Sequence, residues 1–250
     1  MNNIIRYTLI SISAIVGSLN ISCQTLSVNV DTPSFPKFSS SKVYVVKKAY
    51  TIYDDFDAPI GSLVGNVWNL DGYTLDGKKL GSCSDKEGQP TIKIRRNNLT
   101  IKNGSFQHFP DGIQIDADNV TFDNVTFYSC EDAVNTGLMA RNYTIKNCWF
   151  APSPKKTNKG DKALQLSRNK QGKSILRNNL FTGYINGVRV GLNKAKHYKG
   201  TVESYSNKFY NVETAYHVVA GNILILNGKD KYYNVRQKTK TESGATIKNR

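Results

Sequence analysis

This 250-residue chain lacks the cysteine pattern of a zinc protein. Its four cysteines and three histidines make no Cys-x-x-Cys pair and no Cys/His cluster, which argues against a structural zinc site. Acids are scarce, with 19 Asp and Glu against 34 Lys and Arg, for a net charge of +15. A surplus of that size suits a polyanion such as nucleic acid, an anionic membrane or an acidic polysaccharide, and charge alone does not choose among them. After the first residues no run is apolar and long enough to span a bilayer. Disorder is not expected, because 39% of residues are hydrophobic and 10% aromatic. The length allows one medium domain with a core, or two small ones.

Residues 1–22 read as an export signal. Arg6 is its one charge, and Tyr7 to Val16 is a short apolar run. Two processing sites compete: Val16-Gly17-Ser18 fits ordinary secretion, and Leu19-Asn20-Ile21-Ser22-Cys23 is a loose lipobox that would make Cys23 a lipid anchor. The expected location is therefore secreted or extracellular, or an outer-membrane lipoprotein, with no membrane contact beyond the anchor. Residues 23–41, rich in Ser, Thr and Pro, read as a flexible tether. Of the other cysteines, Cys130 and Cys148 are either a disulfide or two buried thiols, and Cys83 has no assigned state.

The middle of the chain repeats. Leu99-Thr100-Ile101-Lys102-Asn103 aligns with Val120-Thr121-Phe122-Asp123-Asn124, with Tyr143-Thr144-Ile145-Lys146-Asn147 and, more weakly, with Ser174-Ile175-Leu176-Arg177-Asn178. Apolar and polar residues alternate in each copy, as in half-buried strands. The asparagines recur 21, 23 and 31 residues apart, which fits an all-β parallel solenoid with loops of varying length. The recurring Asn suits a polar ladder at a turn. The Asn-x-Thr triplets at Asn98, Asn119, Asn124 and Asn142 read as by-products of the repeat. One such domain is expected over residues 42–250, and it is expected to be a monomer.

A second strand follows each copy. Ile113, Val134, Leu164, Val188 and Tyr216 make one apolar column, and Ile115, Thr136, Leu166, Val190 and Val218 another. Between them Gln114, Asn135, Gln165, Arg189 and His217 must point outward, because side chains alternate along a strand. The small residues Gly112, Ala133, Ala163, Gly187 and Ala215 beside that column suggest a shallow trough for a linear ligand. Just upstream, Asp111, Glu131, Asp132, Asp161 and Lys162 fall on neighbouring rungs about 4.8 Å apart. Clustered carboxylates repel unless a cation such as Ca²⁺, with its oxygen ligands, sits among them; otherwise they read as a solvated turn cluster capping strands or as salt bridges to Lys162 and Arg189. Lys162 reads as an ordinary ion pair, or as a base if its amine is neutral. Arg189 reads as a bidentate clamp for a carboxylate.

Five segments, in order over residues 73–191, resemble the polysaccharide lyase family 3 pectate lyases. They are Tyr73-Thr74-Leu75-Asp76-Gly77 with Leu80-Gly81, Glu87-Gly88-Gln89-Pro90, Asp111-Gly112-Ile113, Glu131-Asp132-Ala133, and Asp161-Lys162-Ala163-Leu164-Gln165 followed by Gly187-Val188-Arg189. The resemblance implies a right-handed parallel β-helix that cleaves polygalacturonate or pectin by calcium-dependent β-elimination. It implies Asp111, Glu131 and Asp132 as calcium ligands, Lys162 as the catalytic lysine, and Arg189 as the substrate-binding or basic arginine. Gln165 and Asn186 would join Arg189 in binding substrate. Where the family carries a second lysine this chain has Asn186, and Ala151 to Lys159 is inserted. Both motivate an alternative, a lyase of another uronic-acid polymer.

A further alternative is a non-catalytic β-helix that binds acidic glycans. Nucleic acid is the least favoured partner: no nucleic-acid motif is present and the export signal opposes it. The basic C-terminal stretch, Lys229 to Arg250, reads as a flexible, solvated end.

Overall fold

The computed structural model describes residues 5–10, 23–28, 42–80, 91–129, 132–137, 141–152, 160–166, 172–191 and 200–250. The chain divides into two compact units, Met1–Pro36 and Lys37–Arg250. In the first, Ile5–Ile10 pairs antiparallel with Cys23–Val28. The second is a parallel β-helix. Among the described residues there is no helix, and no helix long and apolar enough to cross a membrane.

Two stacks of parallel strands build the β-helix. The eight-stranded stack runs in chain order from Tyr50–Ile52 through Ile92–Ile94, Ile113–Ile115, Val134–Thr136, Gly160–Leu166, Tyr184–Val190 and Thr214–Val218 to Gln237–Thr241. The fifteen-stranded sheet supplies the rest of each coil. Its strands Thr100–Phe109 and Thr121–Ser129 run on through the Asn103 and Asn124 corners. Later coils break there into two, as in Thr144–Lys146 and Trp149–Pro152.

The repeat read from the sequence is the register of this sheet. Thr121 pairs with Thr100 and with Thr144, and Thr144 pairs with Ile175. The second strands also pair as aligned: Gln114 beside Asn135, Asn135 beside Gln165, Gln165 beside Arg189 and Arg189 beside His217. Shifting any strand by one residue would turn its buried apolar side chains out to water, so burial pins the register.

Asparagines hold the corners. Asn98, Asn103, Asn119, Asn124, Asn142 and Asn147 all have positive φ, a left-handed conformation that Asn tolerates better than most side chains. Their amides link the rungs: Asn119 Nδ2 donates to Asn98 Oδ1 at 2.8 Å, Asn142 Nδ2 to Asn119 Oδ1 at 3.1 Å, and Asn124 Nδ2 to Asn103 Oδ1 at 3.0 Å. The ladder expected from the repeat is therefore present, and it accounts for the Asn-x-Thr triplets.

The interior holds one aromatic column. Phe106, Phe127, Phe150, Phe181, Phe209 and Tyr232 stack ring on ring, with successive centroids 5.6, 4.9, 4.9, 4.8 and 5.6 Å apart. Each pair adds about 0.5–1.5 kcal/mol beyond the area it buries. Ile113, Val134, Leu164, Val188 and Tyr216 fill the space behind the eight-stranded sheet, all buried.

Two sequence readings change, and one of the two left open for Cys148 holds. The basic C-terminal stretch is not a loose end, because it carries the rungs Lys231–Tyr233, Gln237–Thr241 and Thr246–Asn249. The small-residue column does not floor an open trough. Ala133, Ala163 and Ala215 are fully buried, and a Cβ on Gly187 would lie 2.7 Å from the Phe209 ring. These residues are small because the chain packs tightly where it enters each strand. Cys148 is a buried free thiol whose Sγ donates to the Lys146 carbonyl at 3.2 Å. Burial pushes its pKa up to about 12. Cys148 therefore joins no disulfide, and Cys83 and Cys130 lie outside the described residues.

Candidate functional site

The candidate residues lie at the entrance to, and on the outer face of, the eight-stranded sheet. The polar column is longer than the repeat showed. By register it runs Thr51, Lys93, Gln114, Asn135, Gln165, Arg189, His217, Lys240. Adjacent members sit about 4.8 Å apart, the strand spacing. Two of its cations, Lys93 and Lys240, were missed because their strands lie one rung beyond the aligned copies. Extending the alternation by one rung past each end of the repeat would have found both.

Upstream of that column lies a buried ionic cluster. Lys162 Nζ is 3.2 Å from Asp132 Oδ2 and 2.5 Å from Asp161 Oδ2. The Lys162 backbone N–H donates to Asp132 Oδ1 at 3.2 Å. The Asp132 and Lys162 side chains are only 7% and 11% exposed, whereas Asp161 is 39% exposed. Asp111 lies near enough for its charge to act on Asp132, and its Oδ1 accepts from Asn135 Nδ2 at 3.5 Å. The other side-chain atom, Asn135 Oδ1, is buried with no hydrogen-bond partner among the described residues.

Burial raises the Asp132 pKa. The Lys162 charge pulls it back and the charges of Asp161 and Asp111 push it up again, leaving it at about 6. Burial favours neutral Lys162, but Asp132 and Asp161 outweigh it and hold its pKa above the ordinary lysine value. At neutral pH Lys162 is therefore an ammonium ion locked between two carboxylates.

Further along the column, His217 Nε2 lies 3.1 Å from Glu242 Oε1. Burial lowers its pKa, and so do the charges of Arg189 and Lys240, against the opposing pull of Glu242. His217 is thus a neutral ring between two cations.

The structure brings Asp111, Asp132 and Lys162 together, and places Asn186 beside Lys162 and Arg189 beside Gln165 in register. Glu131, expected as a calcium ligand, lies outside the described residues. The described residues do not by themselves fit a calcium ion. Both Asp132 oxygens face Lys162, Asp111 Oδ1 takes the Asn135 amide, and no group of three ligating side chains assembles among them. Of the two positive partners the sequence left open for these acids, the described side chains supply the lysine. Asp161 is the member of the cluster that the expected site omitted, and its place next to Lys162 in the motif was the available signal.

No protein-family model matches the chain, and no curated protein matches it. Among solved structures it is similar to PfbA, a surface adhesin of Streptococcus pneumoniae. The two are 16% identical over 82% of this chain and 68% of that chain, with a TM-score of 0.48. A likeness that distant carries no argument about function.

Proposed function

We propose that the protein binds an acidic polysaccharide along the outer column of its eight-stranded sheet and cleaves it by β-elimination, with polygalacturonate the first polymer to test. The observation that carries this reading is the single outward column in which the amides of Gln114, Asn135 and Gln165 stand between Lys93 on one side and Arg189, His217 and Lys240 on the other. Rungs about 4.8 Å apart suit a chain of pyranose units lying across them. The cations meet uronate carboxylates, and the side-chain amides of Gln114 and Gln165 meet sugar hydroxyls. Export, implied by residues 1–22, would bring the protein to such a polymer outside the cell.

The chemistry asks little of the protein. The C5 proton of a uronate lies alpha to its carboxylate. A neutral Lys162 amine takes that proton, the C5–H electron pair becomes the C4=C5 double bond, and the C4–O bond breaks. The departing oxygen takes a proton from water. Arg189 stays charged and holds the carboxylate on which negative charge gathers. Because its acid neighbours raise the Lys162 pKa, the amine form grows as pH rises, and turnover should climb into alkaline solution. No step here runs through calcium, which stays in the proposal as a requirement to be measured.

The test is ultraviolet absorbance of the unsaturated product from polygalacturonate across neutral and alkaline pH, with and without a chelator. Product that rises with pH supports the reading, and turnover indifferent to the chelator removes calcium from it. Activity on alginate or a glycosaminoglycan alone would move the substrate to another uronic polymer.

A second reading, glycan binding without cleavage, draws on one observation: Lys162 is held as an ammonium by Asp132 and Asp161. It predicts retention on the polymer, no product at any pH, and unchanged binding in Lys162→Ala.

A further inference from the structure

The fifteen-stranded sheet carries a second positive feature that the lyase reading does not use. Lys208 and Lys231 stand directly opposite each other on neighbouring parallel strands, and both are exposed. Like charges placed that way repel. Nothing among the described residues neutralises them, as no ion pair to Lys208, Lys229 or Lys231 forms there.

The neighbouring acid does not supply the missing partner. Asp230, set between Lys229 and Lys231, directs its carboxylate into the protein. Its Oδ1 accepts from the Asn207 backbone N–H at 2.8 Å, and its Oδ2 accepts from Ser204 at 2.6 Å and Tyr216 at 2.7 Å. It ends an interior ladder in which Asn207 Oδ1 likewise accepts the Asn179 N–H, and Asn179 Oδ1 the Cys148 N–H. The lysines are left facing a cavity of about 700 Å³ whose wall includes Asn178 and Ser206. That volume falls in the range of small-ligand sites, roughly 300–1,000 Å³, and exceeds what a lone ion needs. Two residues further along the same outward face, Tyr210 and Tyr233 stack with centroids 4.3 Å apart.

We propose that this corner is a second glycan site, which holds a carboxylate- or sulfate-bearing saccharide with its acid group between Lys208, Lys229 and Lys231. The cations supply charge-assisted hydrogen bonds, the amide and hydroxyl of Asn178 and Ser206 meet sugar hydroxyls, and the tyrosine pair packs against the ring. The site stands apart from the eight-stranded sheet and does not depend on cleavage there.

The experiment is affinity electrophoresis of the full chain in native gels containing polygalacturonate, heparin, neutral dextran or double-stranded DNA. Lys208→Ala/Lys231→Ala is compared with Lys47→Ala/Lys48→Ala, which removes the same charge elsewhere on the surface. The expected result is a loss of about tenfold or more in apparent affinity for polygalacturonate or heparin in the first variant, as two lost charge contacts imply. Little change is expected in the second. A loss for polygalacturonate shows that a carboxylate suffices, and a loss for heparin alone points to sulfate. The same loss in an Arg189→Ala background shows that the corner acts independently of the first face. If the wild type makes no product but this pattern holds, the lyase reading alone fails. Equal losses in the two double variants would reduce the effect to diffuse charge. Unchanged binding in Lys208→Ala/Lys231→Ala, binding to DNA or dextran only, or disappearance of the effect in the Arg189→Ala background would each overturn the proposal.

Discussion

Asp76 and Asp132 have side chains only 4% and 7% exposed, and their carboxyls shift in opposite directions. Burial opposes the charge of Asp76, but the Lys78 backbone N–H at 3.0 Å, His108 Nδ1 at 3.0 Å and the charges of His108 and Lys78 outweigh it. Its pKa falls below the ordinary value. At Asp132 burial outweighs the pull of Lys162, and the charges of Asp161 and Asp111 add to it, so its pKa rises to about 6. Asp76 has donors that stabilise its charge, as expected of a structural acid. Asp132 is crowded with like charges around one cation, the arrangement often found where a protein handles protons or charged ligands.

The largest expected effect comes from removing that cation. Lys162→Met leaves Asp132 buried without its partner and should cost about 3–5 kcal/mol in denaturant unfolding at pH 8. The cost should shrink below pH 6, where Asp132 takes up a proton. Asp132→Asn in the Lys162→Met background should recover much of it. If Lys162→Met is as stable as the wild type at pH 8, the pair does not govern this region. Product formation, if the wild type shows it, should vanish in the same variant.

Next comes Asp76→Asn, which keeps the shape but loses the charge that His108 and Lys78 face, at a cost of about 1–3 kcal/mol. A matched loss in Asp132→Asn would erase the contrast, because the isosteric amide there relieves the repulsion from Asp161 and Asp111.

The pH dependence is smaller and sharper. A folded pKa raised from 3.8 to about 6 means that the Asp132 contribution is fully present below the unfolded value and lost as pH rises to 6. A lowered pKa at Asp76 means the reverse: its contribution is present above the unfolded value and lost as pH falls through the folded one. Unfolding free energy measured from pH 3 to pH 8 should therefore lose its fall between about pH 4 and 6 in Asp132→Asn. In Asp76→Asn it should lose part of its acid-side fall. If both variants change the same limb, the opposed shifts are wrong.

Much of this was legible in the chain before any coordinates. The alignment of Thr100, Thr121, Thr144 and Ile175 became strand register residue for residue, since a parallel stack repeats its burial pattern on every rung. The outward column from Gln114 to His217 was readable for the same reason. Its ends at Lys93 and Lys240 were not, because their strands, Ile92–Ile94 and Gln237–Thr241, lie one rung beyond the aligned copies. The buried alanines were misread as a trough, since small size reports a lack of space without saying on which side of the sheet the space is missing.

The candidate site divides in the same way. That Asp111, Asp132 and Lys162 fall on neighbouring rungs follows from the repeat alone. What the acids pair with does not, because a cation ligand and a lysine partner make the same demand on composition. Only three-dimensional packing put Lys162 Nζ between Asp132 and Asp161, turned the Asp230 carboxylate inward toward Asn207, Ser204 and Tyr216, and left Lys208 opposite Lys231. Periodicity along one chain determines which residues share a face. Which charges meet across that face depends on side-chain reach and on solvent excluded by other coils, and these exist only once the coils have stacked.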